Sequence, residues 1–250
     1  MSNGSLYTYI ENNIATIEFG HPASNSFPGE LLRRLTSSLN ELSNNEDVHI
    51  IIIKSEGEKA FCAGASFDEL VLISTIEEGN KFFSGFANVI NAMRSCSKLI
   101  IGRVQGKVVG GGVGLVAACD YCLAAEQASI KLSEFTIGIG PFVIEPVVRR
   151  KIGLAALSEL TIDATSWENA YWAKEKGLYA KVYGTISELD TEVSVLANKL
   201  SKYNPKALKE MKKAFWEGTD NWNELLAEKA EISGKLVLSE FTKSALQKFK

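Results

Sequence analysis

The chain has 250 residues, 46% of them hydrophobic and 23% charged, with a formal net charge of −3 at pH 7. That composition excludes a disordered chain, and without a global basic field it argues against nucleic acid as a partner. No stretch approaches the apolar length of a membrane span. The N-terminal MSNGSLYTYIENNIATIEFG lacks the basic and continuous apolar regions of a signal peptide, so a cytoplasmic protein that engages no membrane is expected.

In chain order, LYTYIE and NIATIEFG read as two short strands joined at Asn12-Asn13, a hairpin signal. Phe27 to Leu42 carries apolar residues at helical spacing, and VHIIIIKSEG is the continuous β-branched run of a strand buried on both faces. A helix over Thr75 to Met93, a strand at KLIIGRVQG, a short helix after a glycine run and a strand at DYCLAAE follow. The alternation predicts an α/β fold with a largely parallel sheet. From Gly153 onward the pattern is helical, with Gly177 as a C-cap candidate.

The run VVGGGVGL raises a chemical question, because three successive glycines expose bare backbone at a strand-to-helix turn. A P-loop needs a Lys after its glycines and a dinucleotide fingerprint needs GxGxxG; neither is present. A third option is an oxyanion hole, in which backbone N–H groups near a helix N-terminus face developing negative charge, although small residues at such turns also serve tight strand–helix packing. Such a hole takes two donors. A second turn of small residues, Cys62-Ala63-Gly64-Ala65 in KAFCAGASFDEL, offers the other.

With these pieces in view, the chain resembles the crotonase, or enoyl-CoA hydratase/isomerase, superfamily. HPASNSFPGELLRRL, KAFCAGASFDEL, VQGKVVGGGVGLVAACDYCLAAEQASIKLSEFTIGIGP, ENAYWAKEKGLYAKVY and NPKALKEMKK occur in the family's order and spacing. The resemblance implies a crotonase-like ββα spiral core over residues 1–190. It also implies a helical region over residues 191–250 that serves trimerisation and covers the active site. It implies an acyl-CoA substrate, no cofactor beyond the coenzyme A of that substrate, no metal, and a homotrimer or homohexamer. Ala65 and Gly111 match the family's two donors to the thioester oxygen. Gly110, the stretch Ala63, Gly64, Ser66, Phe67 and Asp68, and the turn at Ala23 match segments that line the substrate, as do Pro141 and Phe142. Ser66 departs from the family's usual Asp.

Family hydratases carry two glutamates. The position of one is Gly114 here; the other is kept as Glu134, in LSEFTIGIGP. Syn hydration needs an activated water and a proton for the α-carbon, a task two carboxylates share. One carboxylate suffices to move a proton between C2 and C4, as an isomerase does. Hydratase and isomerase therefore both stand at this point, with an acyl-CoA hydrolase, a decarboxylase or a non-catalytic acyl-CoA binder as alternatives. Glu145 is a possible second carboxylate, although an acid near a helix N-terminus needs only the dipole to explain it. Phe142 replaces a glycine that would leave room for water.

Other conspicuous residues read as structural. Cys119 and Cys122 form a CxxC in apolar surroundings, expected to be buried thiols. Asp120 is expected to cap or orient the strand that follows it. Trp167, Trp172, Trp216 and Trp222 are read as helix-packing or interface residues. Lys206, Lys209, Lys212 and Lys213 are read as a solvated helix face, and neither His21 nor His49 has a partner at catalytic spacing. The apolar residues Leu225, Leu226, Ile232, Leu236, Leu238, Phe241, Leu246 and Phe249 are expected to need a partner surface.

Overall fold

The computed structural model describes residues 3–247. Strands β1 (Ser5–Glu11) and β2 (Ile14–Gly20) form the expected antiparallel hairpin. Its turn residues Asn12 and Asn13 have φ of 52° and 64°, the left-handed pair that a two-residue hairpin requires and that asparagine tolerates. Helix α1 (Gly29–Asn44) starts two residues later than its apolar spacing suggests, because Pro28 takes the N-cap.

The chain then repeats one unit three times: a strand of a large sheet, a short strand of a second sheet, and a helical segment. The first unit is β3 (Ile50–Ser55), β4 (Ala60–Cys62) and α2 (Phe67–Leu70), followed by the long α3 (Ile76–Ser95). The second is β5 (Leu99–Val104), β6 (Lys107–Val109) and α4 (Gly111–Ala118). The third is β7 (Tyr121–Ala125), β8 (Ser129–Lys131), a 3-10 turn over Glu134–Ile137 and α5 (Glu145–Ile162). Next come β9 (Glu168–Asn169), α6 (Ala170–Glu175), β10 (Lys181–Tyr183), α7 (Ile186–Leu200), α8 (Pro205–Phe215), α9 (Trp222–Leu236) and α10 (Glu240–Gln247).

The large sheet runs β1-β2-β3-β5-β7-β10 and is parallel apart from the first hairpin. The small sheet, β4-β6-β8-β9, was not legible in the sequence, since its strands have only two or three residues. Its consequence is positional. The CAGA turn, the glycine run and Glu134 follow β4, β6 and β8, so all three leave neighbouring parallel strands at the same end.

The main core lies between one face of the large sheet and α1, α3, α4, α5 and α9, while a smaller cluster on the other face is covered by α7. The expected division at residue 190/191 falls inside α7, which packs on β3, β5, β7 and β10. Helix α9 returns to lie along α3, where Gly79 meets the backbone of Gly234 so closely that a Cβ on Gly79 would stand 2.7 Å from the Gly234 carbonyl oxygen. Most of the C-terminal apolar residues are thereby at least partly buried within the chain: Leu226 and Leu246 are buried, Leu225 and Leu238 pack against the core, and Leu236 is half-buried. Ile232 and Phe241 remain exposed, and Phe249 lies outside the described residues.

One reading is corrected here. Lys212 is not part of a solvated face: its ammonium donates to Asp120 Oδ2 at 2.7 Å, with both side chains withdrawn from water. Asp120 does hold its strand neighbour in place, since the same oxygen accepts the Ile100 N–H at 2.7 Å, and Oδ1 accepts the Trp216 indole N–H at 3.2 Å. Trp216 and Trp222 pack edge to face as expected. Trp167 lies exposed beneath the ammonium groups of Lys107 and Lys131.

Candidate active site

The turn after β4 is built by contacts from behind. Ala63 donates its N–H to the Ser24 carbonyl, while Phe27 bridges across Ala65 by donating to the Gly64 carbonyl and accepting from the Ser66 N–H. This pairing uses the Gly64 carbonyl and the Ser66 N–H on either side of Ala65 and leaves the Ala65 N–H without a protein acceptor among the described residues. Gly64 has φ of +85°, and a Cβ there would lie 2.9 Å from the Val109 carbonyl oxygen and 3.6 Å from the Gly111 nitrogen. The two small-residue turns therefore touch.

The glycine run is equally constrained. Gly110, at φ +53° and ψ −122°, turns the chain from β6 into α4 and donates its N–H to the Lys131 carbonyl at 2.9 Å. Gly111 is the first residue of α4, so its N–H has no intrahelical partner. A side chain at Gly111 would run into the ring of Phe86. A Cβ at Gly112 would stand 2.9 Å from Cys62 Sγ. Burial pushes the Cys62 thiol up to about 12, so it is no nucleophile at neutral pH.

Glu134 opens the 3-10 turn beyond β8, and its carboxylate lies over the bare face of Gly110: a Cβ on that glycine would be 2.8 Å from Oε1. The residue as a whole is half-buried, yet Oε2 is out of contact with solvent and has no hydrogen-bond partner. Removal from water raises its pKa from 4.5 to about 7, with a hydrogen bond from its own backbone N–H working against the shift. A carboxyl group with that value can both accept and return a proton near neutrality.

Ala63, Gly64, Ala65, Gly110, Gly111 and Glu134 share one cavity of about 70 Å³ with Phe67, Pro141 and Phe142. Three of the substrate positions expected from sequence stand apart from it: Ala23 and Asp68 are exposed, and Ser66 is buried at the N-cap of α2. Glu145 does not line the cavity either. It pairs with Lys229 at 3.2 Å and Arg149 at 3.8 Å from the first residue of α5, which agrees with its reading as a helix N-terminal acid.

Several wall residues were not singled out from sequence. Ile144 is the most informative, because its side chain occupies the place that any side chain on Gly114 would enter. Phe83 and Phe86 come from α3, and Ser233 reaches the cavity from α9. The signal available for the phenylalanines was the cluster Phe82, Phe83 and Phe86 on one helix; for Ile144 and Ser233 there was none. Among the described residues no group of three or more His, Cys, Asp or Glu side chains is placed to hold a metal ion, and no helix is long and apolar enough to cross a membrane.

The sequence pattern of the enoyl-CoA hydratase/isomerase family matches residues 9–250. The chain is 29% identical over 242 residues to the short-chain-enoyl-CoA hydratase of Clostridium acetobutylicum, covering 96% of this chain and 92% of that one. It is 31% identical over 186 residues to the peroxisomal Delta(3,5)-Delta(2,4)-dienoyl-CoA isomerase of Arabidopsis thaliana, covering 68% and 65%. Among solved structures, an enoyl-CoA hydratase from Bacillus halodurans superposes with a TM-score of 0.90 at 20% identity, covering 97% and 99%. The chain belongs to the enoyl-CoA hydratase/isomerase family, within the crotonase superfamily.

Proposed function

We propose that the protein is an enoyl-CoA isomerase that uses Glu134 as its single acid/base. The thioester oxygen of a 3-enoyl-CoA accepts hydrogen bonds from the N–H groups of Ala65 and Gly111. Glu134 removes a proton from C2, the electrons delocalise into a dienolate whose charge rests on that oxygen, and the same carboxyl returns a proton to C4 to give the 2-enoyl thioester. The protein needs no further cofactor for this step, because coenzyme A arrives as part of the substrate.

The observation that carries this reading is a lone carboxylate in an apolar cavity, with Ile144 standing where a second carboxylate on Gly114 would have to go. Hydration would need a held water. The aromatic and aliphatic wall offers it little beyond Glu134. Turnover of but-3-enoyl-CoA and hydration of crotonyl-CoA, measured side by side, tests the choice. Isomerisation is expected to exceed hydration by at least about 10²-fold, the scale of one positioned acid/base group; comparable rates would return the protein to the hydratases.

We further infer that residues around Ala63–Asp68 and the turn at Ala23 guide the coenzyme A portion, and that the chain assembles as a trimer or a dimer of trimers. Exposed Ile232 and Phe241 on the C-terminal helices support an assembly surface there. Light scattering at micromolar concentration is expected to give three or six chains, and a monomer would refute it.

A further inference from the structure

The same cavity limits what can be isomerised. Glu134 lies over Gly110, and Phe83, Phe86, Phe142 and Ile144 supply much of the apolar wall. Phe86 lies against Gly111, and the ring of Phe142 folds back until its Cε2 would stand 2.5 Å from a Cβ on Gly140. The cavity volume is about 70 Å³. An apolar cavity of roughly 150 Å³ takes the six carbons of benzene, so by proportion this one takes about three carbons beyond the thioester carbon, which is held at the oxyanion donors. Among the described residues that line it there is no Lys or Arg; Ser133 and Ser233 are neutral, and the one charged group is Glu134 itself. A second carboxylate on the acyl chain would find no cation and would face the base.

From this geometry we infer that the acyl group is short and uncharged, four or five carbons counted from the thioester, with the rings of Phe142 and Phe83 as the end stop that sets its length. The inference rests on the acyl-CoA reading above and adds the class of acyl group. Phe142 is half-buried, so its truncation is expected to leave the fold intact.

Isothermal titration with saturated esters separates binding from turnover. Butanoyl-CoA is expected to bind at least tenfold more tightly than octanoyl-CoA and glutaryl-CoA to the unmodified protein. Phe142→Ala or Phe83→Ala is expected to recover octanoyl-CoA binding to within about threefold of butanoyl-CoA. Equal binding of the butanoyl and octanoyl esters by the unmodified protein overturns the length limit, as does failure of both variants to recover octanoyl-CoA. Glutaryl-CoA binding as tight as butanoyl-CoA overturns the charge limit. Each of these outcomes leaves the acyl-CoA reading standing. If none of the three esters binds, that reading fails and the inference falls with it.

Discussion

Asp120 and Glu134 both carry carboxylates withdrawn from water, and their surroundings are opposite. Asp120 accepts from a backbone N–H, an indole N–H and the buried Lys212 ammonium, so its charge is neutralised and its oxygens are occupied. Glu134 Oε2 accepts from nothing, and its nearest neighbours are glycine backbone and apolar side chains. The first arrangement joins α8 to the start of β7 and holds the carboxylate in place. The second leaves a carboxyl group poised between its two protonation states, which is what proton transfer requires. Burial alone does not make a carboxylate functional; the absence of partners does.

The largest effect expected from breaking this contrast is on turnover. Glu134→Gln keeps the shape of the side chain but cannot take up a proton, and kcat is expected to fall by about 10³-fold. Titration with butanoyl-CoA should find affinity little changed. A variant that retains substantial kcat would remove Glu134 from the mechanism.

Lys212→Met attacks the other carboxylate. Removing one partner of a buried pair leaves Asp120 with an uncompensated charge, a loss of about 3–5 kcal/mol. In a chain of this size that lowers Tm by about 10 °C. Calorimetry should record that drop while kcat of the folded fraction stays unchanged. A Tm within a degree or two of the parent would show that the pair contributes nothing.

Glu134→Gln also sharpens the comparison through stability. The folded protein holds the Glu134 proton up to about pH 7, whereas the unfolded chain releases it near the ordinary value of 4.5. Between those limits the folded state binds more protons, so stability falls as pH rises through the window and then levels off. The amide escapes this loss. Urea denaturation at pH 8 is expected to find the variant more stable by about 2–3 kcal/mol, the difference shrinking toward pH 4.5. Equal pH dependence in the two proteins would mean that the carboxyl is not desolvated.

The smallest expected effect comes from adding the missing acid. Gly114→Glu drives a side chain into Ile144, and overpacking of this kind costs about 1–3 kcal/mol. The single variant is expected to lose stability without gaining hydration of crotonyl-CoA. Gly114→Glu combined with Ile144→Gly is expected to raise the ratio of hydration to isomerisation. No rise in a folded, acyl-CoA-binding double variant would show that position 114 does not serve water.

What could be read from sequence was what the backbone itself must do. The Asn12-Asn13 hairpin, the glycine run and the CAGA turn each announce a chain conformation through residue types that permit it, and Glu134 follows them at a characteristic spacing. Phe67, Pro141 and Phe142 were legible as wall residues, but Phe86 and Ser233 were not, because they come from segments distant in the chain and any apolar helix could have supplied them; Ile144, close to Phe142 in sequence, carries no mark that separates it from an ordinary core residue. Lys212 was misread for the same reason. Its neighbours Lys209 and Lys213 stay exposed, and only the fold brings Asp120 beneath it. The C-terminal apolar residues signal burial without naming the surface: α9 lies along α3, while Ile232 and Phe241 stay exposed.

The most direct measurement is the pH dependence of kcat/KM for isomerisation of but-3-enoyl-CoA, which reports the ionisation of the base in the free enzyme. With Glu134 as a desolvated base whose Oε2 has no hydrogen-bond partner, the rate should rise about tenfold per pH unit below neutrality and bend to a plateau at about pH 7. A profile already flat from pH 5 to 8 would mean an ordinary, solvated carboxylate, and would contradict the claim that isolation from partners is what makes Glu134 reactive.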